Sequence, residues 1–393
     1  MNDIIVLVTL LSGALVVYHH LVYPLLLKKL AKTDNTGEPC TPEQLPHISI
    51  VVPAYNEEAW IADKIRNLAS LDYPADKLTV HIGFDGCSDQ SAAIARQTLN
   101  EVLCADLQCH LHEFTENRGK VAVINELIHQ AEGEIIALSD TSALLSIDTL
   151  TLAAAHFNND RIGVVNSHYL MLQPGNEGEQ KYWQYQNKVK VMEAALGAPQ
   201  GTHGALYLFR KSLFQPLPGD TINDDFILPM SIVARGYLGV QENRIHAVEM
   251  EATNDDQNFK RRVRIGAGNL QQVFRLKHLL NPVQGNLSLM FWSGKALRVA
   301  CGPLMLIALA GSLYLAASYW LFALLAGLQL LVWGLATVGF IWPATQQNKL
   351  IQLVCYLISG HMAIMTGGMR YLLGLEKGRW TRVTGSDKAG KTS

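Results

Sequence analysis

The chain has 393 residues, 49% of them hydrophobic and 17% charged, with a formal net charge of −2. That near-neutral balance gives no electrostatic footprint for nucleic acid, so no nucleic-acid partner is expected. The six cysteines (Cys40, Cys87, Cys104, Cys109, Cys301 and Cys355) show no C-x-x-C pairing, which argues against a disulfide framework and reads as unpaired small hydrophobes.

The average hides two materials. Ile4 to Leu27 is nearly free of charge and long enough to cross a bilayer, and Lys28, Lys29 and Lys32 follow it. No small-residue cleavage site follows a short apolar core, so residues 1–32 are expected to be an uncleaved transmembrane anchor. Lysines after this span and none before it place the following domain in the cytoplasm. Residues 33–46 are rich in Pro, Thr, Asn and Glu without an apolar period, and read as a linker.

From residue 47 the period of hydrophobicity alternates. His47 to Pro53 reads as a strand, Glu58 to Leu71 a helix, Leu78 to Asp85 a strand and Ser88 to Leu103 a helix. Cys109 to Phe114, Gly119 to Ala131, Glu134 to Asp140, Ser146 to Phe157 and Ile162 to Leu170 continue the alternation, beginning and ending with a strand. The expected fold class is α/β, a Rossmann-like domain over 47–284 with a mostly parallel sheet covered on both faces. The G-x-G-x-x-G turn of a dinucleotide fold is missing.

Asn286 to Arg298 interleaves Leu287, Met290, Phe291, Ala296 and Leu297 with Ser, Lys and Arg, so 285–298 is a candidate helix lying flat in the membrane interface, or simply the flank of the next span. Val299 to Ala317, Tyr319 to Trp342 and Leu350 to Leu373 are each of spanning length, giving about three segments over 299–373. His361 is the main ionisable interruption, a functional hint by its position; three late spans are too few for a usual transporter bundle. The tail over 374–393 is basic, with Lys377, Arg379, Arg382, Lys388 and Lys391. Were all three late segments to cross, this tail would end outside, against the positive-inside rule; a re-entrant segment, a break near Ser318 or a true exception remain open.

Three polar loops follow strand ends: Pro53-Ala54-Tyr55-Asn56-Glu57, Asp85-Gly86-Cys87-Ser88-Asp89 and Asn117-Arg118-Gly119-Lys120. In open α/β sheets such loops converge on a ligand crevice. The strand Ile135 to Leu138 runs on into Ser139-Asp140-Thr141-Ser142 and brings a further carboxylate to that crevice. Asp85 and Asp140 both end apolar strands, where an unpaired carboxylate is costly. Asp89 as a helix cap and Asn117 as a turn former are equally good readings of those two residues.

These motifs, followed by Asn223-Asp224-Asp225-Phe226 and Arg261-Arg262-Val263-Arg264, resemble in order and spacing a membrane-bound family-2 glycosyltransferase with the GT-A fold, the group that includes polysaccharide synthases. The resemblance spans essentially the whole chain. It implies an inverting enzyme that moves a sugar from a nucleotide donor, UDP-linked, to a membrane-associated lipid or glycan acceptor with β-linkage formation. The implied setting is cell-surface glycan or exopolysaccharide synthesis at a bacterial inner membrane, with membrane lipids as neighbours and Mg²⁺ or Mn²⁺ as cofactor. Asp140 would hold the metal as the first acid of the D-x-D motif, with Ser142 in place of the second, a loss of one charge that weakens the metal site. Ala54, Tyr55, Glu57, Asp85 and Lys120 would face the nucleotide. Asp225 would be the base that deprotonates the acceptor hydroxyl, with Asp224 in the position of the motif's Glu; acids at a helix start are the bland alternative. Gly204 and His203, in Gly201-Thr202-His203-Gly204, would lie by the donor sugar or acceptor.

Arg264 matches the arginine of the Q-x-x-R-W motif and would clamp the diphosphate, whereas Arg261 replaces the Gln and Ile265 the Trp. That missing Trp favours transfer of one or a few sugars over a processive synthase that threads polymer through the late spans. Lys260 and Arg262 read as a basic face on anionic lipid headgroups. Trp380 and Arg382 are candidates for returning to the site. A scaffold that binds nucleotide sugars without transfer is the reading from another class, and retention of Asp85, Asp140, Asp225 and Arg264 argues against it.

Overall fold

The computed structural model describes residues 2–31, 45–174, 177–252 and 255–376. The chain forms two compact units, one of Ala31–Gly175, Tyr182–Gln257 and Lys377–Ser393, the other of Met1–Leu30, Asn176–Lys181 and Asn258–Glu376.

The first unit is built on one eight-stranded sheet in the order β3-β2-β1-β4-β7-β6-β8-β5. Its strands are β1 (Ile48–Ala54), β2 (Leu78–Asp85), β3 (Cys109–Phe114), β4 (Ile135–Leu138), β5 (Ala143–Leu145), β6 (Ile162–Met171), β7 (Tyr207–Arg210) and β8 (Leu238–Glu249). Every residue of β1, β2 and β4 is buried, as continuous apolar runs must be when helices cover both faces. The edge strand β3 is partly exposed throughout.

Between the strands run α3 (Ile61–Ala69), α4 (Ser91–Leu99), α5 (Lys120–Gln130), α6 (Thr149–Phe157), α7 (Glu177–Ala194), which extends across both units, and α8 (Asp224–Val233). In α3, Ile61, Ile65 and Leu68 fall on one stripe and are fully buried. α5 buries Val121, Ile124, Leu127 and Ile128 in the same way.

The parallel part is β3-β2-β1-β4, in which Ala54 pairs with Phe84, so the ends of β1 and β2 lie level, while Leu138 pairs with Val51, so β4 stops short of β1 and gives way to the Asp140 loop. The chain adds β2 and β3 on one side of β1 and returns to place β4 on the other. The switch point therefore lies between the ends of β1 and β4, where adjoining loops diverge and leave a crevice. Parallel pairing is four pairs to three: β7 runs antiparallel to β4 and β6, and β5 antiparallel to β8. The antiparallel strands come from parts of the sequence with no clear apolar period.

The second unit is helical. α1 (Asn2–Val17) and α2 (Tyr23–Leu30) join through a π-helical turn at Tyr18–Val22. α9 (Asp255–Arg275) precedes α10 (Asn286–Met290), a second π turn at Phe291–Ala296, α11 (Leu297–Ala316), α12 (Trp320–Ile341) and α13 (Lys349–Leu372). Among the described residues four helices, Asn2–Leu30, Asn286–Ala316, Trp320–Ile341 and Lys349–Leu372, are long and apolar enough to cross a membrane. The segment 286–298 is the opening of the same continuous helix as the first late span, and there Met290 and Phe291 are fully buried. Most of the linker and all of the tail from Lys377 on, with Trp380 and Arg382, lie outside the described residues.

Candidate active site

The loop after β1 turns at Asn56, the one non-glycine residue with positive φ (54°) among those described. Asparagine tolerates this conformation because its side chain bonds locally. The Asn56 carboxamide accepts from the Ser88 backbone N–H at 2.8 Å, tying the first loop to the second. The Glu57 N–H donates to Ser91 Oγ at 2.7 Å, and Ser91 Oγ donates to Asp89 at 2.6 Å. Asp89 also accepts from the Ser91 N–H, so it caps the start of α4.

Asp85 ends β2 and is fully buried. Its two oxygens accept from the backbone N–H groups of Arg118 (2.9 Å) and Gly119 (2.8 Å). It thus fixes the third loop and the start of α5. Gly86, at φ +64°, lets this turn press on Asn117: a Cβ there would stand 2.5 Å from the Asn117 nitrogen.

Lys120, the first residue of α5, donates to Asp140 Oδ1 at 2.8 Å and has Asp224 Oδ2 at 3.5 Å. Burial alone would lower its pKa; Asp140, then Asp224, outweigh burial and raise it. Asp224 and Asp225 open α8, where the helix N-terminus favours negative charge. Asp224 is buried and Asp225 half-buried. Burial first, and the neighbouring Asp224 second, push the Asp225 carboxyl up to about 6, against the pull of Lys120 and Lys190. The Asp225 carbonyl accepts from the Thr202 N–H at 2.9 Å and its hydroxyl at 2.6 Å. Lys190 holds the same loop through the Gly201 carbonyl at 2.5 Å.

Asp140, Asp224 and Asp225 therefore gather around one lysine, and the donor set suits a hard divalent cation. Asp140 Oδ2 turns toward Gly204, where a Cβ would stand 2.7 Å away, so only glycine leaves that oxygen clear. The buried Tyr207 hydroxyl has no hydrogen-bond partner among the described residues. Burial, then Asp224, Asp225 and Asp140, raise its pKa well above the ordinary tyrosine value, placing it in the field of the same carboxylates. Ser142 follows Asp140 by two residues and is half-buried, its carbonyl accepting from the Met250 N–H at 3.0 Å.

Two contributors escaped the sequence reading. Lys64 is fully buried on the apolar stripe of α3 and donates at 2.6 Å to both Ser139 Oγ and the Ala143 carbonyl, clamping the loop that carries Asp140. Burial pulls its pKa down to about 7 despite Asp140 and Glu249. The second is an aromatic wall. His203 stacks on Tyr169 at 3.6 Å between ring centroids and meets Trp183 edge-on at 4.9 Å. His203 Nδ1 accepts from the Ala205 N–H at 3.1 Å, which leaves the proton of the neutral ring on Nε2. A lysine on a helix reads as solvated, and aromatics separated by 34 residues have no sequence period.

Arg264 stands on α9 in the helical unit, exposed, with Ile265 beside it. Arg262, read from sequence as facing lipid headgroups, lies instead over the Tyr356 ring of α13 at 4.1 Å, with Ser359 Oγ at 3.5 Å from its guanidinium. The planar guanidinium stacks on an aromatic face when one is in reach.

Residues 49–217 match the family model described as glycosyl transferase family 2. A β-monoglucosyldiacylglycerol synthase of Trichormus variabilis is 34% identical over 121 residues, 31% of this chain and 25% of that protein. A poly-β-1,6-N-acetyl-D-glucosamine synthase of Staphylococcus aureus is 25% identical over 205 residues, covering 50% of this chain and 48% of the relative. The chain thus matches half or less of these relatives' lengths. A solved mannosyltransferase from Pyrobaculum calidifontis, in complex with GDP-Man and Mn²⁺, superposes over 93% of this chain and 99% of its own, with TM-score 0.71 and 23% identity, and shares the fold.

Proposed function

We propose that the chain is an inverting glycosyltransferase of a bacterial inner membrane, a reading supported by the match of residues 49–217 to glycosyl transferase family 2. It transfers one or a few sugars from a nucleoside-diphosphate donor to a membrane-held lipid or glycan. The observation that carries this reading is the acidic crevice at the sheet's switch point, where Lys120 stands against Asp140 and Asp224, with Asp225 next to it on α8.

In the reaction Asp225 takes the proton of the acceptor hydroxyl. The hydroxyl oxygen bonds to the anomeric carbon from the face opposite the diphosphate, the carbon–phosphate-oxygen bond breaks, and the nucleoside diphosphate leaves with the electron pair. Single displacement inverts the anomeric configuration. A carboxyl near 6 is ionised at neutral pH yet basic enough to accept that proton. Asp140, with the Ser142 hydroxyl, would hold Mg²⁺ or Mn²⁺, and the metal supplies charge neutralisation to the leaving diphosphate. Lys120 adds positive charge at the same end, Asp85 shapes the nucleotide end through the 118–119 turn, and Ala54, Tyr55 and Glu57 line it from β1. Arg264 is assigned to the diphosphate by motif position. Ile265 in place of an aromatic residue, together with a relative named for a glucosylated diacylglycerol, favours short transfer to lipid over polymer synthesis.

The test is incubation of the purified full chain with Mn²⁺, membrane lipid extract and UDP-, GDP- and dTDP-sugars, following nucleotide release and product length. One donor giving a short lipid-linked product is expected. A long polymer would replace the short-transfer reading, and donor binding without turnover on any lipid would favour the non-catalytic scaffold.

A further inference from the structure

The two π-helical turns of the helical unit meet each other: the Tyr18 hydroxyl lies 2.9 Å from Ser293 Oγ, and His19 Nδ1 lies 2.7 Å from the Ser293 carbonyl. A π turn inserts a residue and rotates side chains out of the ordinary helical register, and such turns concentrate at functional sites. Here the first one presents two consecutive histidines, His19 and His20, toward Cys301 of α11. One donor atom from each of these three residues lies within 4.8 Å of the others. His361 of α13 adds its Nε2, 3.0 Å from His20 Nε2. Cys301 is fully buried and His361 nearly so.

The hydrogen bonds around the rings decide which nitrogens are available. A backbone carbonyl only accepts, so His19 Nδ1–H donates to Ser293 and His20 Nδ1–H donates to Val16 at 2.9 Å. Both neutral rings therefore carry their lone pair on Nε2. This is the arrangement of metal-bound imidazoles, whose outer nitrogen is fixed by a backbone carbonyl or carboxylate. With His20 Nε2 unprotonated, the 3.0 Å contact has His361 as donor, which leaves His361 Nδ1 buried and without a hydrogen-bond partner among the described residues. The outer nitrogens of His19 and His20 are thus satisfied, while that of His361 is not.

From this geometry we propose that His19, His20, His361 and Cys301 form a second metal site, for a borderline-soft divalent cation of the Zn²⁺ class, which staples the first membrane helix to α11 and α13. Three imidazoles and a thiolate offer four nitrogen and sulfur donors, the ligand types and number that a tetrahedral zinc takes, and no carboxylate is among them. Binding releases the Cys301 thiol proton to solvent, while the His361 ring proton passes from Nε2 to Nδ1 so that this imidazole stays neutral. The thiolate is the one ligand of the four that carries negative charge, so Cys301 is the indispensable one. The site is distinct in donor chemistry from the oxygen ligands at Asp140 and does not depend on the proposed transfer reaction.

The test uses the full chain in detergent, stripped by chelator and titrated with Co²⁺. The expected result is about one equivalent bound with visible bands of tetrahedral cobalt and a thiolate-to-cobalt charge-transfer band, all displaced by Zn²⁺. Cys301→Ser should abolish the charge-transfer band, and His361→Gln should weaken binding by at least about tenfold, as loss of one ligand does. Each variant is compared with the stripped parent by thermal melting, so that misfolding is recognised. Zn²⁺ should raise the melting temperature of the parent and not of Cys301→Ser. Absence of the charge-transfer band in the parent, or its persistence in Cys301→Ser, overturns the proposal and leaves a hydrogen-bonded cluster only.

Discussion

At the scale of residues the site is a contest between burial and charge. Asp225 is raised toward neutrality by burial and by Asp224, and the two lysines limit the rise. Its folded value of about 6 lies above the usual carboxylate value, so in the native state it binds a proton more tightly than in the unfolded chain. The stability this contributes is present at low pH and is lost as pH rises through that window. Activity runs the other way, since the base must be ionised. The kcat/KM profile for transfer is therefore expected to fall on the acid side with an apparent pKa near 6, and a limb at 4 or below would remove Asp225 from that role. Asp85, Asp140 and Asp225 were legible because acids ending apolar runs or opening a helix stand out in a sequence. Their partners were not equally so. The bond from Lys120 to Asp140 joins residues 20 apart and depends on the start of α5 lying beside the end of β4. The Tyr207 hydroxyl lies in the field of these carboxylates on a strand with no sequence signal of its own.

At the scale of elements, β2 and β3 have the very limits that the apolar runs predict, and β1, α5 and β4 agree within a few residues. Strands buried on both faces are written as uninterrupted apolar stretches, which is why that half of the sheet could be read. β8 could not: it carries Gln241, Glu242, Asn243 and Arg244 in mid-strand, and its pairing with β6 shifts register twice. β7 has four residues and β5 three, too few for a period. The loop between β4 and β5 owes its shape to Lys64 of α3. Lys64→Met keeps the volume and removes both donors, leaving the Ala143 carbonyl unsatisfied at a cost of about 1–3 kcal/mol, offset by the charge no longer buried. Transfer should fall by about ten- to a hundredfold as Asp140 loses its position. The lowered folded pKa of Lys64 has its own signature. Between about 7 and its ordinary value the unfolded chain binds more protons, so wild-type stability should rise with pH from 7 to 9 relative to Lys64→Met. Equal melting curves across that range, with wild-type transfer rates, would leave Lys64 as packing alone.

At the scale of the whole molecule, composition separates a sheet domain from a set of apolar helices, and each has its own solvent. Leu7, Leu10, Leu321, Leu330 and Leu331 are exposed on helices whose most apolar windows are only 11% and 17% buried, which suits contact with lipid tails. Lys28 and Lys29 end α2, on the side where the sheet domain follows. The sequence shows both the four apolar helices and the domain between them; it does not show the packing of π turns that draws His19, His20, Cys301 and His361 together, because hydropathy carries no information about helix rotation. The measurement that tests the central claim most directly is transfer and donor binding by Asp225→Asn in the full chain. The variant is expected to bind the donor within about twofold of wild type while transfer falls by about 10²–10⁴-fold, the usual contribution of a general base. Transfer at the wild-type rate would contradict the assignment of this crevice as the place where the sugar moves.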